Sequence, residues 1–141
     1  MTRTATIYAL GDPAPQPRPR MTRTGRAYNP PTADAWKACV RAAWAHSGEE
    51  AFGDGGLRLR LEFVLSRPKG HWTTKGDLRT AAPATHRSKP DVDNLAKAVM
   101  DALENAGAFA NDCAVQDLRT SKRYGAHCET PGCRITISLI D

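Results

Sequence analysis

The stretch KPDVDNLAKAVMDALENAGAFANDCAV, Lys89 to Val115, admits few structures. Pro90 disfavours helix at Lys89 and suits a helix start, where Asp91 or Asp93 can cap the free N–H groups that follow. Leu95, Val99, Ala102, Leu103 and Ala106 then recur at i, i+4, i+7, i+8 and i+11, an apolar stripe. Gly107 stands where a left-handed C-terminal cap is wanted. The pattern predicts a helix over Asp93 to Ala106. Steps of four place Asp93, Lys97 and Asp101 along its polar face, drifting about 40° per step. Asp91 falls just before the first turn. A short apolar run, Ala108 to Ala110, leads into Asn111 and Asp112, a second acidic position that can fold back towards the helix start.

Asp91, Asp93 and Asp112 give three carboxylates on separate turns of chain. A hard cation such as Mg²⁺ takes oxygen ligands octahedrally and keeps waters that a phosphate can displace, so such a set suits it. The same residues also read as a helix cap, a solvated Lys97–Asp101 pair and a turn residue. Spacing alone leaves both readings open.

The combination Asp91-Val-Asp93-Asn94-Leu95-Ala-Lys97, then Asp101-Ala102-Leu103, then Asn111-Asp112 resembles the signature of RusA-type Holliday junction resolvases, cellular or phage-borne. GDPAPQPRPR and GRAYNP near the N-terminus resemble that family's opening, and residues 40–85 carry little of the likeness. The resemblance implies an acidic metal-binding triad at Asp91, Asp93 and Asp112, an essential lysine at Lys97, and Mg²⁺ as cofactor, with Mn²⁺ able to substitute. It also implies branched DNA, a four-way junction, as substrate. A homodimer is expected with it, since isologous pairing presents two equivalent sites to two strands. Two positions depart from the family's pattern: Asn111 replaces an acidic residue common there, and Ala114 a glutamine.

Charge agrees with that chemistry. Residues 1–90 hold 15 of the 20 Lys and Arg against 7 of the 15 acids, so the net charge is +8 there and −3 beyond. An acidic focus in a basic chain is the layout of a metal nuclease, in which Lys and Arg neutralise phosphates and carboxylates hold the cation. The chain lacks an 18-residue apolar run, and its N-terminus lacks the pattern of a signal peptide, which points to a cytoplasmic, nucleoid-associated protein without membrane contact. The cysteines, Cys39, Cys113, Cys128 and Cys133, form no CxxC, so reduced thiols are expected rather than a zinc site.

Along the rest of the chain, Thr4 to Leu10 reads as a strand. Residues 13–31, with six prolines and with Arg18, Arg20, Arg23 and Arg26, read as an extended basic arm fit to lie along phosphates, with Tyr28 packed inward. Thr32 is the expected cap of a helix over Ala33 to His46, whose Trp36, Val40 and Trp44 face a core. Leu57, Leu59, Leu61, Phe63 and Leu65 alternate with more polar residues, the cleanest strand in the chain. Residues 67–90 show no periodicity and read as a mobile DNA-contacting flap carrying Lys69, Lys75, Arg87 and Lys89, without a catalytic role for His71 or His86. Val115 to Tyr124 is a polar strand in which Arg119, Lys122 and Arg123 face phosphate or solvent. Arg134 to Ile140 is expected to close a hairpin against it.

The sum is a single α+β domain over residues 1–141, a mixed β-sheet packed with helices. Its expected activity is structure-selective endodeoxyribonuclease cleavage of Holliday junctions in recombination and repair. A nuclease directed at flaps or forks, and a junction-binding protein without cleavage, are the alternatives.

Overall fold

The computed structural model describes residues 3–140. In chain order it contains β1 (Thr4–Leu10), a small pair β2 (Arg20–Met21) and β3 (Ala27–Tyr28), α1 (Asp34–Ser47), β4 (Gly56–Leu65), α2 (Val92–Asn105), β5 (Val115–Tyr124) and β6 (Gly132–Ile140). Four strands form one mixed sheet in the order β1-β6-β4-β5, antiparallel except for the β4–β5 pair. None of the helices among the described residues is long and apolar enough to cross a membrane.

Alternation builds the core. Leu57, Leu59, Leu61, Phe63 and Leu65 of β4 all point to one face and are buried. In register beside them stand Leu139, Ile137, Ile135 and Cys133 of β6, and beyond these Ala5, Ile7 and Ala9 of β1. The helices close the same core, α1 through Trp36, Val40 and Trp44, and α2 through Leu95, Ala98, Val99, Ala102 and Leu103. Each large side chain removed from water contributes about 1.5–3 kcal/mol, so this layer fixes α2 firmly against the sheet.

The expected hairpin between Arg134–Ile140 and Val115–Tyr124 does not form. β6 lies between β1 and β4, and β5 runs parallel to β4 on the sheet's other edge. Two causes act together. Ile135 and Ile137 are fully buried and belong in the middle of the sheet, whereas β5 exposes every second residue, Leu118 included, and suits an edge. Between β4 and β5 the chain also makes a long crossover through α2, which permits parallel pairing.

Two local expectations are corrected. Thr32 does not cap α1: Pro31 starts a 3₁₀ turn over Pro31–Ala33, and the helix begins after Ala33 without a side-chain cap. Proline at that position fixes the backbone for the turn, so the helix enters through it. Tyr28 is 44% exposed rather than packed. The arm folds back at Thr22–Arg26, where the Thr22 N–H donates to Arg26 O (2.9 Å) and Gly25 supplies a φ of 83°, and Tyr28 is left on the outside of the β2–β3 pair.

Candidate active site

α2 begins where the acidic motif begins. Asp91 is its N-cap residue, with extended backbone (φ −71°, ψ 142°), and its carbonyl accepts from the Leu95 N–H at 3.0 Å. Its carboxylate makes no capping hydrogen bond, so the helix does not consume it. Asp93 lies exposed in the first turn, and Lys97 lies exposed one turn on. Asp101 is not Lys97's partner: it takes Lys37 of α1 at 2.7 Å, an ion pair that ties the two helices together. Lys97 is left outside every ion pair among the described residues.

The chain returns from the far end of α2 by a fixed route. Gly107, at φ 82°, turns it, the Ala108 N–H donates to Leu103 O (2.9 Å), and Ala108 and Phe109 are buried. Asn111 then caps a 3₁₀ turn over Asp112–Ala114, its Oδ1 accepting from the Cys113 N–H at 2.8 Å. This capping gives the asparagine at that divergent position a physical role of its own. The Asp112 N–H donates to Glu104 Oε1 at 3.2 Å, so a side chain of α2 holds the turn from below while the Asp112 carboxylate stays exposed.

Asp91, Asp93 and Asp112 thus stand at the start of α2 and on a turn bound to the same helix, all three exposed and outside the ion pairs found among the described residues. As donors, three uncommitted carboxylates fit a hard divalent cation. Among the described residues, no three His, Cys, Asp or Glu side chains converge closely enough to form a ligand set as placed.

One residue read from the sequence only as facing phosphate or solvent has a different task here. Lys122, half-buried on β5, donates from Nζ to Ser88 O (2.7 Å) and Pro90 O (2.9 Å), and so fixes the backbone immediately before Asp91. Its neighbours on the same strand stand beside acids and remain exposed. Arg119 lies 3.7 Å from Asp117, and Arg123 makes two 2.8 Å bonds to Glu129. The Arg123 guanidinium, with the Ala126 N–H, holds the Glu129 carboxyl down to about 2. A signal for Lys122 was present: the alternation of Val115–Tyr124 places Thr120, Lys122 and Tyr124 on the half-buried side, where a lysine needs acceptors.

The N-terminal arm lies beside this point. The Gln16 N–H donates to Asn94 O at 3.0 Å, and a hollow of about 430 Å³ opens between Pro13–Gln16 and the Lys89, Asp91 and Asn94 side. The residues expected to meet DNA (Arg18, Arg20, Arg23 and Arg26 on the arm, Lys69, Lys75, Arg87 and Lys89 on the 67–90 segment) are all exposed and outside those ion pairs. His71 and His86 instead pack around Tyr124, with ring centroids at 5.4 and 4.6 Å. Burial, reinforced by the Lys122 charge, lowers the His86 pKa.

Two comparisons with known proteins bear on this arrangement. A family model described as endodeoxyribonuclease RusA matches residues 11–138. A Bacillus subtilis (strain 168) protein bearing the name "Uncharacterized protein YqaN" is 31% identical over 124 residues, covering 84% of this chain and 85% of its own. The match takes in the proline-rich arm, the acidic helix start and the returning turn together.

Proposed function

The chain belongs to the RusA endodeoxyribonuclease family, and on that premise we propose that it resolves Holliday junctions as a Mg²⁺-dependent homodimer, with Asp91, Asp93 and Asp112 holding the metal. Mn²⁺ substitutes in this reading. The observation that carries it is the state of the charges around α2. Asp101 is taken by Lys37, yet Asp91, Asp93 and Lys97 stand uncommitted at the start of α2, and Asp112 stands uncommitted on the turn tied to Glu104 near the helix's other end. A cation bound there would supply Lewis-acid stabilisation of the scissile phosphate and lower the pKa of a water. Lys97 offers its ammonium to the charge that develops on the phosphate as the bond to the leaving oxygen breaks. The basic arm and the 67–90 segment neutralise flanking phosphates. Lys122 keeps the Pro90 carbonyl, and with it the approach of Asp91, in one place.

Cleavage of a four-way junction beside flap, fork and linear duplex, each with and without Mg²⁺, tests the reading. Symmetric nicks at the junction that require the metal are expected. Preferential cutting of flaps or forks would transfer the same acids to another branched substrate, and binding without any cleavage would leave a junction-binding protein.

Two results are expected alongside. Sedimentation at micromolar concentration gives a dimer, and junction affinity falls steeply with salt, by a log–log slope of about 0.9 for each phosphate neutralised. Arg20→Ala lowers that slope by about one, whereas a monomer or a salt-independent affinity contradicts the shared-junction arrangement. Lys122→Met, which keeps the length of the side chain but loses both carbonyl bonds, raises the half-saturating Mg²⁺ concentration about 10- to 100-fold, the scale for losing an outer-shell support. Junction affinity in EDTA stays within a few-fold. An unchanged metal titration would reduce Lys122 to a packing residue.

A further inference from the structure

A depression of about 870 Å³ lies away from the acidic residues, between the 67–90 segment and the connection from β5 to β6. Its volume is within the range of ligand sites. One wall is a short self-bonded loop. The Arg79 N–H donates to His71 O (2.9 Å), the Thr73 N–H to Asp77 O (2.8 Å), and Trp72 bridges to Leu78. That loop holds the Trp72 ring half-buried at the edge of the depression, with His127 set edge-on to it at 5.1 Å and 77°. The opposite wall is the turn at His127–Cys128, where Cys128 adopts a φ of 63°, an uncommon conformation for a residue with a side chain.

The charges of the lining select the ligand. Lys69 and Arg79 are exposed and outside every ion pair among the described residues, whereas Arg67 is spent on Pro83 O (2.7 Å) and on the face of Tyr124. The lining's one carboxylate, Glu129, is neutralised by Arg123. An indole flanked by two free cations, with the acid cancelled, is the combination that holds single-stranded nucleic acid through base stacking and phosphate contact. A further hollow, of about 250 Å³, lies between the depression and the Asp91 side: it shares Ser66 with the depression, and Lys89 and Pro90 with the hollow beside Asp91.

We propose that this depression takes an unpaired nucleobase from the branched DNA, stacked on Trp72, with Lys69 and Arg79 on the flanking phosphates. The proposal rests on the branched-DNA reading and adds to it a reason for preferring branches. A duplex keeps its bases stacked inside, while a strand crossing at a branch point can present one.

The test is binding in EDTA, where no cleavage occurs. Trp72→Ala is expected to weaken binding of a fluorescent oligodeoxythymidylate by about 5- to 150-fold, the loss of one base stack. Linear duplex affinity should stay within two-fold, and Trp72→Phe should restore most of the single-strand binding. Equal losses on duplex and single strand, or no loss, would overturn the proposal. With the unaltered protein, a junction carrying 5-bromodeoxyuridine at the exchange point should photocrosslink to the peptide containing Trp72, and crosslinks confined to other peptides would overturn it as well. Failure of the resolvase reading has a different sign, absence of Mg²⁺-dependent junction cleavage, and leaves these EDTA measurements standing.

Discussion

Asp93→Asn is expected to abolish Mg²⁺-dependent cleavage of a four-way junction while junction binding persists. Asp93 is exposed in the first turn of α2 and outside the ion pairs among the described residues, so its charge is not needed to hold the fold together. Asparagine keeps the shape and removes the charge. The fold loses only a carboxylate's interaction with the helix dipole, about 0.3–1 kcal/mol, a modest shift in Tm. The proposed metal site loses one of three charges, and a single-turnover assay should register a rate lower by roughly 10³-fold or more, the upper scale for removal of one electrostatic contributor. Affinity measured by gel shift in EDTA should hold or rise, since a negative charge facing phosphate has gone. Cutting at the parental rate would show that the acidic motif at the start of α2 is not the metal site.

What could be read from the residues alone followed from how local each signal was. The stripe Leu95, Val99, Ala102, Leu103 located α2 to within a residue, since period 3.6 and the flanking Pro90 and Gly107 all lie within one stretch of chain. The alternation of Leu57–Leu65 located β4 in the same way. Strand partners are set otherwise. That β6 sits beside β4 and not β5 depends on which strand can tolerate an edge, a comparison among elements far apart in the chain. The site divides along the same line. The order of Asp91, Asp93, Lys97 and Asp112 was legible as a motif. That Lys37, 64 residues before Asp101, removes that acid from Lys97's reach was not, because it depends on α1 packing beside α2. The tethering role of Lys122 was not legible for a related reason: its acceptors are backbone carbonyls, which leave no trace in residue type.

The withdrawal of Asp101 sharpens what is expected of Lys97. A lysine paired at i+4 would have a structural task, and its loss would be felt in stability by a few tenths of a kcal/mol. Lys97 has no such pair, and it stands one turn beyond Asp93 on the polar face of the helix. Lys97→Ala should therefore leave Tm nearly unchanged, since alanine is the better helix former, and junction affinity within a few-fold, since many exposed cations share the grip on phosphates. The single-turnover rate should fall by roughly 10²-fold or more, the scale of removing one stabiliser of transition-state charge. Lys97→Arg should recover only part of that rate, because a planar guanidinium has a different reach and cannot give up its proton near neutral pH. Lys69→Ala, on the 67–90 segment, supplies the contrast: it should weaken binding and spare the rate at saturating protein. If Lys97→Ala behaved like Lys69→Ala, weaker in binding and unchanged in rate, Lys97 would be one phosphate contact among several, and transition-state charge would have to be met by the metal site alone.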